Sequence, residues 1–265
     1  MPNLDSPRSD ELEISVFGGG YGESICVHFG NGQWIVVDSC IQKNSVKPAA
    51  LQYFEDIGVD ALDSVKLVLA THWHDDHIQG ISQIVAFCVN ADVAVTGAFD
   101  SKEAAAFVFE KDSADSALSS GVSEFRKILE LCTGTGRLKW AKATMQLYPR
   151  GVSSHEKVVA LSPSEETCQR TLEWLVEGAL VAGITLSRRS TVPLGPNATS
   201  VVSHFDALGV QIVLGADLEV SADALAGWDA VLSHAMPESK SSALKVPHHG
   251  SKTGHHEGIW SELMT

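Results

Sequence analysis

Three histidines and two aspartates follow directly after a short apolar run in the first third of the chain. The run VKLVLA ends at residue 70, and residues 71–80 read THWHDDHIQG. Such a run is typical of a buried strand, so we expect the polar residues on the turn that follows it. His72 and His74 alternate and can point at one ion, whereas the adjacent Asp76 and His77 can reach a second. Imidazole and carboxylate ligands suit Zn²⁺, Mn²⁺ or Fe²⁺, and two such ions about 3.5–4 Å apart can share an activated hydroxide.

The composition favours one globular domain. The chain has 265 residues, of which 44% are hydrophobic, and no apolar run approaches the roughly 20 residues that cross a bilayer. The N-terminal segment is polar and acidic, so we expect a cytoplasmic protein without a membrane partner. The five cysteines are scattered and odd in number, which suits reduced thiols in a core. The net charge of −14 argues against nonspecific nucleic-acid binding by a basic surface, although bound metal ions can supply positive charge locally.

The order of the secondary-structure patterns predicts an α/β sandwich. Residues 11–40 alternate strand-like runs with glycine-rich turns, as a β-meander does. Further strands are predicted at 65–71, 92–96, 138–149 and 157–163, then a hairpin over 201–217 and a last strand in LKVPHHG. Helices are predicted at 46–57, 79–89, 101–109, 121–131 and 164–180. This order indicates two sheets packed together with helices outside.

The spacing His-x-His-x-Asp-His over residues 72–77 resembles the signature of the metallo-β-lactamase superfamily. The resemblance covers nearly the whole chain and implies a four-layer αβ/βα sandwich, with two central mixed sheets and helices outside. We therefore expect residues 1–265 to form a single hydrolase domain. Because EGIWSELMT stops within a helical pattern, we also expect that this domain is the N-terminal part of a longer chain or that a partner subunit covers its end.

The resemblance also assigns the remaining site residues. Asp38, at the end of WIVVD, matches the aspartate that orients a ligand histidine from behind. Asp217 in VLGADLE matches the aspartate that bridges both ions. LKVPHHG supplies the last ligand as His248 or His249; we favour His248 as the ligand, with His249 supporting it. Asp76, His77 and Asp217 are the expected catalytic residues.

One position departs from the superfamily pattern. Asn197 stands where the third motif normally has a histidine, about twenty residues before the bridging aspartate. An amide oxygen is a weaker and harder ligand than imidazole, so this site would bind loosely or prefer Mn²⁺, or else Asn197 serves only in a turn. His204 and His155 are the alternative ligands. We therefore predict an asymmetric centre, in which Asp76, His77, Asp217 and His248 hold the tighter ion and His72 and His74 the weaker one.

Asn197, GADLE and KVPHHGSKT together look most similar to the ComEC-like hydrolase branch of the superfamily. This branch implies a phosphodiesterase or nuclease, with two Zn²⁺ or Mn²⁺ ions and a metal-bound hydroxide as the attacking group; Fe²⁺ is a further option. Lys252 and Ser251 follow the HHG turn and could contact a phosphate of the phosphodiester or nucleic-acid substrate. Two alternatives stay open. One is a hydrolase directed at the carbonyl of a thioester or lactone, and the other is a domain that acts only within a larger assembly.

Overall fold

A six-stranded mixed sheet forms the first half of the fold. The computed structural model describes residues 5–19, 22–100, 120–150, 156–181 and 195–265. The first three strands pair antiparallel as the predicted meander, and the next three continue the sheet in parallel. In chain order, which is also the order in the sheet, the strands are β1 Glu13–Phe17, β2 Ser24–His28, β3 Trp34–Val37, β4 Val65–Ala70, β5 Asp92–Thr96 and β6 Leu138–Ala141.

A five-stranded mixed sheet forms the second half. Its strands lie in the order β11-β10-β9-β8-β7, and only β10 and β11 run parallel to each other. The strands are β7 Gln146–Tyr148, β8 Lys157–Ala160, β9 Ser203–Ala207, β10 Val210–Leu214 and β11 Ala243–Lys245. The predicted strand at 138–149 is thus two strands, β6 and β7, in different sheets. Thr144 between them adopts a φ of 68°, which interrupts the extended chain.

Helices cover the outer faces of both sheets. They are α1 Ala49–Asp56, α2 Ala61–Ser64, α3 Asp75–Ile78, α4 Ile81–Phe87, α5 Ser120–Cys132, α6 Glu165–Val181 and α7 Gly227–His234. The predicted helix at 101–109 lies outside the described residues. No helix in the described ranges combines the length and the apolar character that crossing a bilayer requires. All five cysteines are buried and unpaired.

Three hydrophobic cores separate four layers. Alternate residues of the first sheet face opposite sides, so Val36 packs towards the helices with Phe54 and Phe125, whereas Ile35 packs towards the second sheet with Phe205. A third core lies on the far side of the second sheet, where Val213 and Leu161 pack against Trp228 and Val231 of α7. The predicted αβ/βα sandwich with two central mixed sheets is therefore confirmed.

The topology brings four strand ends together. In parallel neighbours the carboxyl ends meet at the same edge of the sheet, which holds for β3 and β4 in the first sheet and for β10 and β11 in the second. The chain segments after these strands begin at residues 38, 71, 215 and 246, and they carry all the predicted metal ligands except Asn197. Two parallel pairs thus supply one cluster of polar side chains.

Candidate metal centre

Asp38 contacts the turn that carries His72, His74 and His77 and holds it in place. Its Oδ1 accepts a hydrogen bond from Thr71 N at 2.8 Å, and its Oδ2 accepts one from Thr71 Oγ1 at 2.8 Å. The same Oδ2 lies 2.7 Å from His77 Nδ1. Asp38 and His77 are both almost fully buried. Because Nδ1 is engaged by this carboxylate, the other ring nitrogen, Nε2, is the one that faces the cluster.

His72 and His74 lie side by side on the same turn. His72 is buried, and its Nδ1 lies 3.0 Å from Thr71 Oγ1. Its Nε2 is 3.2 Å from Nδ1 of the half-buried His74. Two imidazole nitrogens at this distance can face one common cation. This is the arrangement that the alternation of the two residues predicts.

Asp217 reaches the cluster from the second sheet. Gly215 allows β10 and β11 to approach closely here, because a Cβ at this position would lie only 2.9 Å from the carbonyl oxygen of Lys245. Asp217 Oδ1 is 3.2 Å from His77 Nε2, but the geometry is not that of a hydrogen bond, and this buried oxygen has no hydrogen-bond partner among the described residues. An unpaired buried carboxylate oxygen is costly and is typical of a place where a cation binds.

The HHG turn directs His249, rather than His248, at the cluster. His249 Nε2 lies 3.4 Å from Asp76 Oδ2, 3.4 Å from Asp217 Oδ2 and 3.4 Å from His77 Nε2. His248 points elsewhere, with its Nδ1 2.8 Å from Thr253 Oγ1 and 3.1 Å from Glu219 Oε1. The structure therefore reverses the expected placement of these two histidines. The cause is the backbone of the turn, since both residues have a positive φ and their side chains consequently diverge.

Asn197 lies beside His248, on a short 3₁₀ turn. Its Nδ2 is 3.4 Å from His248 Nε2, and its Oδ1 is buried without a hydrogen-bond partner in the described part of the chain. His204, one of the two alternatives to Asn197, is in the middle of β9 and lines a separate cavity of about 250 Å³. The other, His155, is outside the described residues.

The donor atoms form overlapping groups of three. His72, His77 and Asp217 offer ligand atoms within 4.8 Å of one another, and so do Asp76, His77 and His249. Imidazole nitrogens and carboxylate oxygens are the donors that Zn²⁺ and similar divalent ions prefer. Together with the unpaired Oδ1 of Asp217, this donor set fits the predicted metal ions.

Burial and charge set the protonation of these groups. Burial lowers the pKa of His77, but its contacts with Asp217 and Asp38 outweigh this effect and raise the pKa to about 10. Burial raises the pKa of Asp217, yet the contact with His77 outweighs burial and keeps that pKa below its usual value. For His72 and His74, burial lowers the pKa. These two imidazoles are therefore neutral at pH 7, which is the form that binds metal ions.

Backbone strain is concentrated at the same place. Eight non-glycine residues in the described ranges have a positive φ, and four of them, Asp38, Ala216, His248 and His249, belong to this cluster or directly adjoin it. The left-handed conformation costs a non-glycine residue roughly 1–2 kcal/mol. Such strain is characteristic of functional sites, where the surrounding structure holds a side chain in a required direction.

Two charged residues near the cluster were not expected from the sequence. Lys245 Nζ lies 2.7 Å from Glu23 Oε2 and 4.0 Å from Asp217 Oδ1. Glu23 is buried, and its Oε2 is 3.8 Å from His249 Nδ1. Glu23 follows a glycine-rich turn and Lys245 precedes the HHG turn. Their only signal in the sequence is that each charge adjoins an apolar strand.

Ser251 and Lys252 follow the HHG turn, as expected. The hydroxyl of Ser251 accepts a hydrogen bond from Thr253 N and so caps the short turn 252–254. Lys252 is exposed on that turn. Of the two predicted substrate contacts, Ser251 thus already has a structural role, whereas Lys252 extends into solvent.

No protein-family model and no curated protein sequence matches this chain. Among solved structures, it is similar to the Rm3 metallo-β-lactamase, with a TM-score of 0.44 and 15% identity over 91% of this chain and 78% of that one. It is also similar to the metallo-β-lactamase SMB-1, with a TM-score of 0.42 and 18% identity over 83% and 68% of the two chains. For the hydrolase AbOPH of the β-lactamase superfamily the TM-score is 0.41, with 17% identity over 74% of this chain and 55% of that one. This chain thus matches little more than half the length of AbOPH. At these values the similarity concerns the general fold alone.

Proposed function

We propose that this chain is a metal-dependent hydrolase and that its substrate is a phosphodiester. The observation that carries the first part is a cluster of five donor side chains, one of which, Asp217, has a buried carboxylate oxygen without a hydrogen-bond partner in the described ranges. These donors are His72, His77, Asp217, Asp76 and His249. Asp217 lies between the two sides of the cluster, and its two carboxylate oxygens can serve two ions at once.

Each protein group has a role in holding the ions. His72, His74 and Asp217 would surround one ion, and Asp76, His77, Asp217 and His249 would surround the other. Bound divalent ions would activate water and neutralise the charge that develops on a substrate oxygen. Asp38 keeps the ring of His77 in place through its 2.7 Å contact with Nδ1. Asn197 and Glu219 restrain His248, and the short turn after it therefore keeps a fixed direction.

The charge of the cluster favours an anionic substrate. Its carboxylates are Glu23, Asp38, Asp76 and Asp217, and the ammonium of Lys245 lies among them. Metal binding displaces the proton that His77 carries in the metal-free protein, and with all imidazoles then neutral these groups carry three negative charges. One divalent ion therefore leaves the cluster negative, and two make it positive. A phosphodiester anion is attracted only in the second case. We therefore expect turnover to require both ions.

One side of the cluster is open to the substrate. The side chain of His249 is 45% exposed and that of Asp76 is 26% exposed, whereas His77 and Asp217 are buried. A substrate therefore approaches from the side of the HHG turn. The exposed Lys252 lies on the next turn of the chain, where its ammonium can contact a second phosphoryl oxygen.

Hydrolysis of bis-p-nitrophenyl phosphate, measured while Zn²⁺ or Mn²⁺ is added stepwise to the metal-free protein, tests this proposal. We expect activity to appear as the second ion binds and to be lost in Asp76→Ala and His77→Ala. Asp206→Asn, in the middle of β9, is the matched control and should retain activity. Turnover of a lactone or thioester without any phosphodiester turnover would refute the substrate assignment. A protein that binds no metal would refute the proposed function as a whole.

A further inference from the structure

An ion pair lies immediately behind the metal centre. The ammonium of Lys245 is 2.7 Å from Glu23 Oε2, and the two side chains are only 14% and 8% exposed. Taking two charges out of water is costly unless each is well compensated. Each of these two charges therefore needs further polar partners besides the other.

Lys245 has further partners on the loop that carries Asp217. Its Nζ donates a hydrogen bond to the carbonyl oxygen of Ala216 at 3.2 Å, and it lies 4.0 Å from Asp217 Oδ1. Ala216 is held at a φ of 45°, a strained conformation for a residue with a side chain. The hydrogen bond from Lys245 thus stabilises the backbone directly before Asp217, and its charge lies on the side of Asp217 Oδ1.

Glu23 has contacts on the other side of the cluster. Its Oε2 is 3.8 Å from His249 Nδ1, while Nε2 of the same ring faces Asp76 and Asp217. At this distance the contact is electrostatic rather than a hydrogen bond, and the carboxylate favours the orientation in which the outer nitrogen of the ring faces it. The backbone N of Glu23 also donates a hydrogen bond of 2.6 Å to the carbonyl oxygen of Asp76. Glu23 therefore contacts the residues on either side of the open face of the cluster.

We propose that Glu23 and Lys245 are a positioning pair for the metal centre. Lys245 fixes the loop that presents Asp217, and Glu23 fixes the ring of His249, so that both ligands point at the same ion before it binds. This inference rests on the proposed metal site and adds two residues that act on it through its ligands.

Binding of Co²⁺ by purified Lys245→Ala, followed by the visible absorbance of the bound ion, tests the pair without any substrate. We expect the affinity for Co²⁺ to fall about 10- to 100-fold, as is usual when a partner behind a ligand is removed. Added n-propylammonium should restore much of the affinity, because it returns the ammonium to the space left by the side chain, whereas n-propanol should not. Lys240→Ala is the matched control, since that exposed lysine also donates to a backbone carbonyl, and it should bind Co²⁺ as the wild type does.

Two further variants complete the test. Glu23→Gln should change the absorbance spectrum of bound Co²⁺, because the ring of His249 loses its restraint. Glu23→Gln combined with Lys245→Met removes both charges and leaves no unpaired buried ion, so it should fold even if Lys245→Ala does not. Its affinity should be at least about tenfold below that of the wild type.

Wild-type affinity in Lys245→Ala or in the double variant would overturn the inference, and so would equal rescue by n-propanol. These outcomes leave the proposed function intact as long as the wild type binds Co²⁺. A wild type that binds no Co²⁺ overturns both proposals together.

Discussion

Asp38→Asn changes one atom of the residue that supports His77, and its effect follows from the hydrogen bonds around that residue. In the wild type both oxygens of Asp38 accept, one from Thr71 N and the other from Thr71 Oγ1 and His77 Nδ1. Asparagine offers one acceptor and one donor. If its Nδ2 faces His77, then Nδ1 of His77 must accept, so Nδ1 loses its proton and Nε2 keeps the one that remains. If the amide is reversed, Nδ2 faces the N–H of Thr71, and two donors meet in a buried place.

Neither arrangement gives the wild-type affinity, because metal binding needs a free Nε2 and hence the reversed amide with its unpaired donor. A proton on Nε2 blocks the nitrogen that faces the cluster, and a buried donor without an acceptor costs about 1–3 kcal/mol. We therefore expect the affinity for Zn²⁺ to fall about 10- to 100-fold, which corresponds to about 1.4–2.7 kcal/mol. The chain should still fold, because one hydrogen bond to Thr71 remains in either arrangement.

Two measurements check this prediction. Competition titration with a chromophoric chelator gives the affinity for Zn²⁺, and nitrogen-15 spectra of the imidazoles report which nitrogen of His77 carries the proton. Asp206→Asn is the matched control, because its oxygen can still accept from Gln211 and it is remote from the cluster in β9. Wild-type affinity in Asp38→Asn would show that Asp38 does not act through His77.

Three further predictions follow from the strain, the core and the ions. His249→Gly removes the strain of a left-handed residue with a side chain, so in urea unfolding the metal-free variant should be as stable as the wild type or up to about 1 kcal/mol more stable. The variant should gain less stability from Zn²⁺ than the wild type does, because it lacks a ligand. A large loss of stability in the metal-free state would contradict this prediction. Thr144→Gly, also at a positive φ but exposed and outside the cluster, should be stabilising with and without metal. Phe205→Ala, in the core between the sheets, should cost about 3–5 kcal/mol in the same assay, and a cost below about 1 kcal/mol would place Phe205 outside that core. Zn²⁺ at 100 times its Kd should stabilise the wild type by about 2.7 kcal/mol, whereas His77→Ala should gain much less; an unchanged melting temperature in the wild type would contradict the metal site.

The sequence was most informative where the local pattern determines the structure. All six strands of the first sheet are predicted from alternating or apolar runs, although β6 is not separated from β7. Residues 72–77 lie on one turn, where their side chains have little freedom to diverge. The sequence pattern does not separate β6 from β7 within residues 138–149, because both segments have the alternation of a strand. The pairing of β6 with β5 and of β7 with β8 places them in different sheets, and the positive φ of Thr144 marks the break between them.

The choice between His248 and His249 depends on the backbone rather than on the pattern. Adjacent residues in an ordinary turn could present either ring, and nothing in HHG reveals that both adopt a positive φ. Glu23 and Lys245 were missed for a different reason. They are separated by more than 200 residues, and only the packing of the two sheets brings them into contact. Such long-range charge pairs leave no local signal.

The metal content of the chain is the most direct test of the account. The purified protein would be stripped with a chelator, reconstituted with Zn²⁺, freed of unbound ions and then measured by elemental analysis. The cluster of His72, His77, Asp217, Asp76 and His249 predicts close to two ions per chain, and fewer in His77→Ala, which removes a ligand of one ion. A wild-type chain without bound ions, or a His77→Ala variant with the full wild-type content, would contradict it.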